Sequence, residues 1–91
     1  MRCQIEAEKG KVRTFVIQYE ILVKSNWAGV TRFDTAHDVV HRDLISPDGV
    51  IKKQWFLELG FDEGLTFAYN DIEANWEKYR EWYLSKLREA K

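Results

Sequence analysis

The stretch RFDTAHDVVHRDLISPDG, Arg32 to Gly49, decides how the rest of the chain is read. Its last four residues, Ser46-Pro47-Asp48-Gly49, are strong hairpin chemistry. Proline presets φ, the aspartate can bond its own backbone locally, and glycine accepts the left-handed position. A strand is therefore expected on each side of it, Val39–Ile45 before and Val50–Leu59 after. Upstream, Val30–Ala36 reads as a further strand, entered from turn chemistry at Ser25–Gly29. Before that, Val12–Lys24 alternates cleanly: Phe15, Ile17, Tyr19, Ile21 and Val23 fall on one face, Thr14, Gln18, Glu20 and Lys24 on the other. Such a strand is long enough to require strong twist or a bulge. Residues 1–10 are polar, end at Gly10, and read as an edge strand or a frayed lead-in.

In Val50–Leu59, Ile51, Trp55, Leu57 and Leu59 share one face, with Lys53 the exception. Gly60 to Gly64 then reads as turn, with Asp62 as N-cap and Phe61 as the apolar residue of a staple. From Leu65 the apolar residues Ala68, Tyr69, Ile72, Trp76, Tyr79, Tyr83 and Leu87 recur at helical spacing, which predicts one helix over residues 63–90. Its basic end, Lys86, Arg88 and Lys91, suits the negative pole of the helix dipole. The expected fold is α+β: one domain over residues 1–91, a four-stranded antiparallel β-meander with a long C-terminal helix packed on one face. That helix is longer than such a sheet is wide, so it either follows the long first strand or projects beyond the sheet. Surplus aromatic surface at Trp76, Tyr79, Trp82 and Tyr83 suggests a homodimer through the helix.

Composition narrows the class. The chain is 45% hydrophobic and 32% charged with a formal net charge of −1, so a generic polyanion-coating protein is disfavoured. Cys3 is its single cysteine, which excludes an internal disulfide and favours a reducing, cytoplasmic setting. No signal peptide is visible, and no apolar run is long enough to span a membrane. The sequence has no P-loop, dinucleotide glycine motif, serine-triad context or Cys-His zinc pattern, so no cofactor is called for.

Chemistry, if present, lies in residues 32–43, which hold both histidines. In a regular strand His37, His41 and Asp43 share a face, Arg42 points away, and Arg32 and Asp34 share a face of the preceding strand. Four readings are open. His37 and His41 can act as acid and base of a ribonuclease, oriented by Asp34 or Asp43, with Arg32 or Arg42 stabilising charge on phosphate. Asp34, His37, His41 and Asp43 can form a metal shell, although their spacing matches no standard motif and no metal is called for. The same residues can be structural, through cross-strand charge pairs and turn caps. Or Arg32, His37, His41 and Arg42 can bind a partner, RNA or a cognate protein, without catalysis.

The stretch resembles a family of small uncharacterised prokaryotic proteins with an R-[FY]-D-x-A-H-x-x-x-H-R-D-x-x-x-P-D-G core followed by an aromatic helix. The core here is Arg32-Phe33-Asp34-Thr35-Ala36-His37, His41-Arg42-Asp43 and Pro47-Asp48-Gly49. The helix stretch Leu65 to Ala68, Asn75-Trp76 and Tyr79-Arg80 fits as well. That likeness implies no activity. More distantly the chain is similar to the TumE-like toxins of toxin–antitoxin pairs, which carry R-Y-D-N-A followed by histidines. Thr35 stands here in place of the usual asparagine, and the histidine spacing differs. This second likeness implies an RNA-directed reaction. A toxin-type ribonuclease is therefore set against a non-catalytic, dimeric, antitoxin-like interaction module.

Overall fold

The computed structural model describes residues 1–89. It has five strands, β1 (Arg2–Glu8), β2 (Lys11–Val23), β3 (Asn26–Asp34), β4 (Val40–Ile45) and β5 (Ile51–Phe56), followed by one helix, α1 (Phe61–Glu89). The strands form a single antiparallel sheet in chain order. The α+β meander with a long C-terminal helix is thus as expected, with one strand more. Of the two readings of residues 1–10, edge strand or lead-in, the first holds: residues 2–8 pair with β2 along their whole length. All seven are exposed, and their one apolar side, Cys3, Ile5 and Ala7, is small.

Two of the turns are tight two-residue hairpins built from positive φ. Lys9 and Gly10 (φ 52° and 77°) join β1 to β2, and Lys24 and Ser25 (φ 48° and 68°) join β2 to β3. Paired positive φ matches the right-handed strand twist. Asn26 to Gly29, expected to turn, are therefore strand. The Ser46–Gly49 hairpin is as its residues dictate. Gly49 takes φ 86°, its N–H donates to the Ser46 carbonyl at 2.9 Å, and the Val50 N–H donates to Asp48 Oδ1 at 3.0 Å.

The long strand β2 carries the irregularities its length requires. Its register shifts once against β1, at Glu6/Ala7, and once against β3, at Tyr19/Glu20. The second shift leaves Val30 as an extra residue in β3, and it turns into the core beside Ile21 and Tyr83.

Helix α1 lies over β2 and β3. Its N-terminal half covers Phe15, Ile17, Phe33 and Val40 through Ala68 and Ile72, and its C-terminal half covers Ile21 and Val30 through Tyr83. The helix therefore follows the long strand β2, packing on it through both halves of its length. Tyr79, Trp82 and Tyr83 serve this packing: Tyr83 is buried, and Tyr79 and Trp82 pack against the same cluster. Of the four residues expected to form a dimer surface, only Trp76 remains exposed.

The helix begins one residue before Asp62. Gly60 takes the cap position, with its N–H donating to Glu63 Oε1 at 3.2 Å, half of a capping box. Asp62 sits in the first turn, where it accepts from the Val12 N–H at 3.3 Å, and Phe61 packs into the core. Residue 90 and Lys91, placed by the periodicity at the end of the helix, lie outside the described residues. Among those described, no helix is long and apolar enough to cross a membrane.

Gly64, read as a turn residue, is buried in the first turns of α1, and a Cβ there would lie 2.6 Å from Val40 Cγ2. Its lack of a side chain sets how closely helix and sheet approach. Gly64→Ala should therefore destabilise the protein by about 1–3 kcal/mol through overpacking, despite a helix-propensity gain of about 1 kcal/mol. Urea denaturation of the two proteins measures the difference.

Candidate functional site

Residues 32–43 do not continue as a regular strand. Between β3 and β4 the chain makes one 3-10 turn, Ala36–Asp38, in which His37 and Asp38 have φ of 65° and 61°. This turn is held from both sides. The Asp38 N–H donates to the Thr35 carbonyl at 3.0 Å, and the Ala36 N–H donates to Asp34 Oδ1 at 2.9 Å. Thr35 itself is buried, its Oγ1 accepting from the Phe15 N–H at 3.2 Å. The turn breaks the alternation on which a shared face for His37 and His41 rested. His37 is exposed in the connection, whereas His41 is 1% exposed inside β4.

The register then explains the charges. Arg32 of β3, Asp43 of β4 and Lys53 of β5 form one cross-strand row, and Asp34, His41 and Trp55 form the neighbouring row. Both rows lie on the sheet face turned away from α1. Asp43 is the centre. Arg32 Nη2 donates to its Oδ2 at 2.8 Å and Lys53 Nζ to its Oδ1 at 2.9 Å. Arg32 Nε also lies 3.2 Å from Asp34 Oδ2. His41 Nε2 is 3.0 Å from Asp34 Oδ1 and 3.8 Å from Asp43 Oδ1. Trp55 closes the cluster over the imidazole, with ring centroids 4.8 Å apart.

Asp43 is fully buried, and burial alone would push its carboxyl up. The hydrogen bonds from Lys53 and Arg32, with the charges of Lys53 and His41, outweigh that and hold it below the ordinary carboxylate range. Both ring nitrogens of His41 face acceptors, since Nδ1 lies 3.3 Å from the Val39 carbonyl oxygen. A doubly protonated imidazolium satisfies both contacts, and a neutral ring satisfies one.

Arg42 lies on the opposite face, beneath the helix. Its Nη2 donates to Gln54 Oε1 at 2.6 Å and its Nη1 to the Tyr79 hydroxyl at 3.0 Å. That hydroxyl in turn donates to Asp71 Oδ2. Burial, then the bond to Asp71 and its charge, push the Tyr79 phenol up to about 12. Arg42 therefore ties sheet to helix, on the far side of the sheet from Arg32.

The structure thus brings together Arg32, Asp34, His41 and Asp43 and separates His37 and Arg42 from them. It also adds Lys53 and Trp55. Lys53 was legible in part, as the one charged residue interrupting the apolar face of the fourth expected strand. That face points away from the helix, which is why Ile51 and Trp55 are exposed instead of in the core.

One ligand atom each from Asp34, His41 and Asp43 fall within 4.8 Å of one another, the donor set of a small metal shell. Arg32 and Lys53 already supply the positive charge that these carboxylates need. As for acid–base chemistry, a base must come within about 2.6–3.2 Å of the proton it takes. His41 meets that distance only to Asp34, with Trp55 above it.

The model of a family described as Domain of unknown function (DUF7718) matches residues 1–89. The chain belongs to that family. No curated protein and no solved structure matches it. For this DUF7718 domain, a small uncharacterised family is what its residues 32–49 resembled.

The acid limb of stability follows from Asp43. Its carboxyl is depressed on folding, so its contribution is present above the ordinary range near 3.8 and is lost as pH falls through the lower folded value. Asp43→Asn should lower stability by about 1–3 kcal/mol at neutral pH and flatten that limb, read as urea midpoints against pH. The alkaline limb follows from Tyr79. A phenol raised to about 12 contributes stability that is full below 10 and lost as pH rises through about 12, and Tyr79→Phe should remove that loss.

Proposed function

We propose that this DUF7718 domain is a non-catalytic protein-interaction module, and that its Arg32–Asp34–His41–Asp43–Lys53 cluster is structural. The carrying observation is that each carboxylate of the cluster is paired within it, Asp43 with Arg32 and Lys53 and Asp34 with Arg32, while His41 is 1% exposed beneath Trp55. A ribonuclease using paired histidines needs both imidazoles at one phosphate. Here one is sealed and the other lies in an exposed turn. A buried, fully compensated charge group instead favours a single strand register. Large apolar side chains remain in water on two sides of the molecule, Ile51, Trp55 and Leu57 near one sheet edge, and Met1, Ile5, Tyr69 and Trp76 toward the other. Exposed apolar surface of this kind is what interaction proteins carry. The lone Cys3 suits a reducing, cytoplasmic setting.

The similarity to TumE-like toxins makes RNA cleavage the outcome to test against. Purified protein should leave single-stranded RNA intact, and strong expression should leave growth unaffected. His41→Ala should cost about 2–4 kcal/mol, because it uncovers buried carboxylates and leaves a cavity. His37→Ala should stay within about 0.5 kcal/mol of the parent. Cleavage of RNA that His37→Ala abolishes in a folded protein would overturn the proposal.

A further inference from the structure

We infer that β1 is a self-pairing edge, through which two copies of the chain join and double the five-stranded sheet. The inference rests on the interaction-module reading and names its partner as a second copy.

Strand β1 is an outer strand of the sheet, so the backbone groups of its free edge have no strand partner among the described residues, and all seven of its side chains are exposed. Helix α1 leans over β2 and β3 and leaves it uncovered. On the helix side β1 presents Cys3, Ile5 and Ala7, and on the other side Arg2, Gln4, Glu6 and Glu8.

Symmetry then selects a register. When two antiparallel copies of one strand pair about a two-fold axis normal to the sheet, opposed residues must share a face, so the axis passes through a residue. Only an axis at Ile5 pairs the whole of Arg2–Glu8. In that register Arg2 lies opposite the partner's Glu8, at both ends of the interface. Gln4 meets the partner's Glu6, Cys3 meets the partner's Ala7, and Ile5 meets its own copy. The strand is complementary to itself in charge and in apolar surface.

The same axis places both helices on one side of the joined sheet. Each then brings to the interface the groove beside β1, about 200 Å³ and lined by Met1, Tyr19, Tyr69, Ile72, Glu73 and Trp76. Tyr69 and Trp76 are 48% and 44% exposed, on the margin of an otherwise buried helix stripe. The paired Cys3, Ile5 and Ala7 supply an apolar floor between the two grooves. The other edge does not offer this. An axis at Lys53 opposes two lysines, and one at Gln54 sets Lys52 and Lys53 against Phe56 and Trp55. Lysines on an outer strand guard it against edge-to-edge pairing.

Light scattering at tens of micromolar should give a dimer, and Ala7→Cys tests the register directly. Opposed residues of an antiparallel pair have Cα atoms about 4.5–5.5 Å apart, within disulfide range. Positions 3 and 7 of one strand are about 13 Å apart and cannot close on each other. Oxidised Ala7→Cys should therefore run as a covalent dimer on a non-reducing gel, and the parent protein should not. Arg2→Glu and Glu8→Arg should each weaken self-association by about tenfold, through two like-charge pairs per dimer, and an equimolar mixture of the two should restore it. A monomer, or a dimer that neither cross-links through Ala7→Cys nor responds to charge reversal, overturns the inference. RNA cleavage by a protein that does cross-link would overturn the module reading alone. A monomer without cleavage would overturn the pairing alone.

Discussion

The structure depends on a carboxylate with no access to water. Asp43 sits in the middle of β4 with no exposed surface, and an uncompensated charge there would cost several kcal/mol. The hydrogen bonds that compensate it come from Arg32 and Lys53, which must stand directly across from it on the two neighbouring strands. The pairing of three strands is thereby fixed by one residue. A slip of one position would send every side chain to the other face. A slip of two would set Asp43 opposite other residues and leave its charge unmet. The neighbouring row, Asp34, His41 and Trp55, fails under the same slip.

Fixing that register has consequences on the other face. Once Asp43 and His41 point away from the helix, Val40, Arg42 and Leu44 must point toward it. Val40 then meets Gly64, and Arg42 reaches Tyr79, whose hydroxyl continues to Asp71. The polar chain across the helix–sheet gap and the charge cluster on the open face are two products of one alternation. This is why Arg32 and Arg42 have unrelated surroundings. Each cluster pairs its charges internally, although the buried Arg32 Nε, 3.2 Å from Asp34 Oδ2, makes no hydrogen bond.

Where the sequence was legible, a short-range rule governed the outcome. Alternation in β2, the Pro-Asp-Gly hairpin and the helical periodicity from Leu65 all reduce to local geometry, and the structure has them. The misreadings came from choices between local rules that only tertiary contacts settle. Residues 2–8 alternate only weakly, with Cys3, Ile5 and Ala7 as the apolar side and neither face covered, so an edge strand and a lead-in read alike. Lys24 and Ser25 carry the hairpin turn although Asn and Gly stood close by in Asn26 and Gly29. Alternation in β5 gives Ile51 and Trp55 one face but not which side of the sheet it is, and the charges of β4 turn it outward. Trp82 and Tyr83 looked like surplus surface because the reach of β2 beneath the helix was not known. The cluster was legible in its members Arg32, Asp34, His41 and Asp43 but not in its burial, since burial depends on Trp55 and Lys53 arriving from another strand.

The segment from Arg32 to Gly49 can be accounted for almost residue by residue without invoking a reaction. Arg32, Asp34, His41 and Asp43 set the register, Phe33 and Val40 fill the core, and Thr35 and Asp34 hold the 3-10 turn. Arg42 anchors the helix, and Ser46, Asp48 and Gly49 make the hairpin. His37 stands apart. It occupies a left-handed backbone position that histidine, like asparagine and aspartate, enters more readily than most residues. Its neighbour Asp38, also left-handed, carries the turn's closing N–H. A pair of left-handed residues is a means of reversing the chain within three positions, and the reversal lets Asp34 and His41 face each other across the two strands. On this account the density of His, Asp and Arg, which made the stretch look catalytic, follows from building a sharply turned, charge-registered three-strand unit in a small protein.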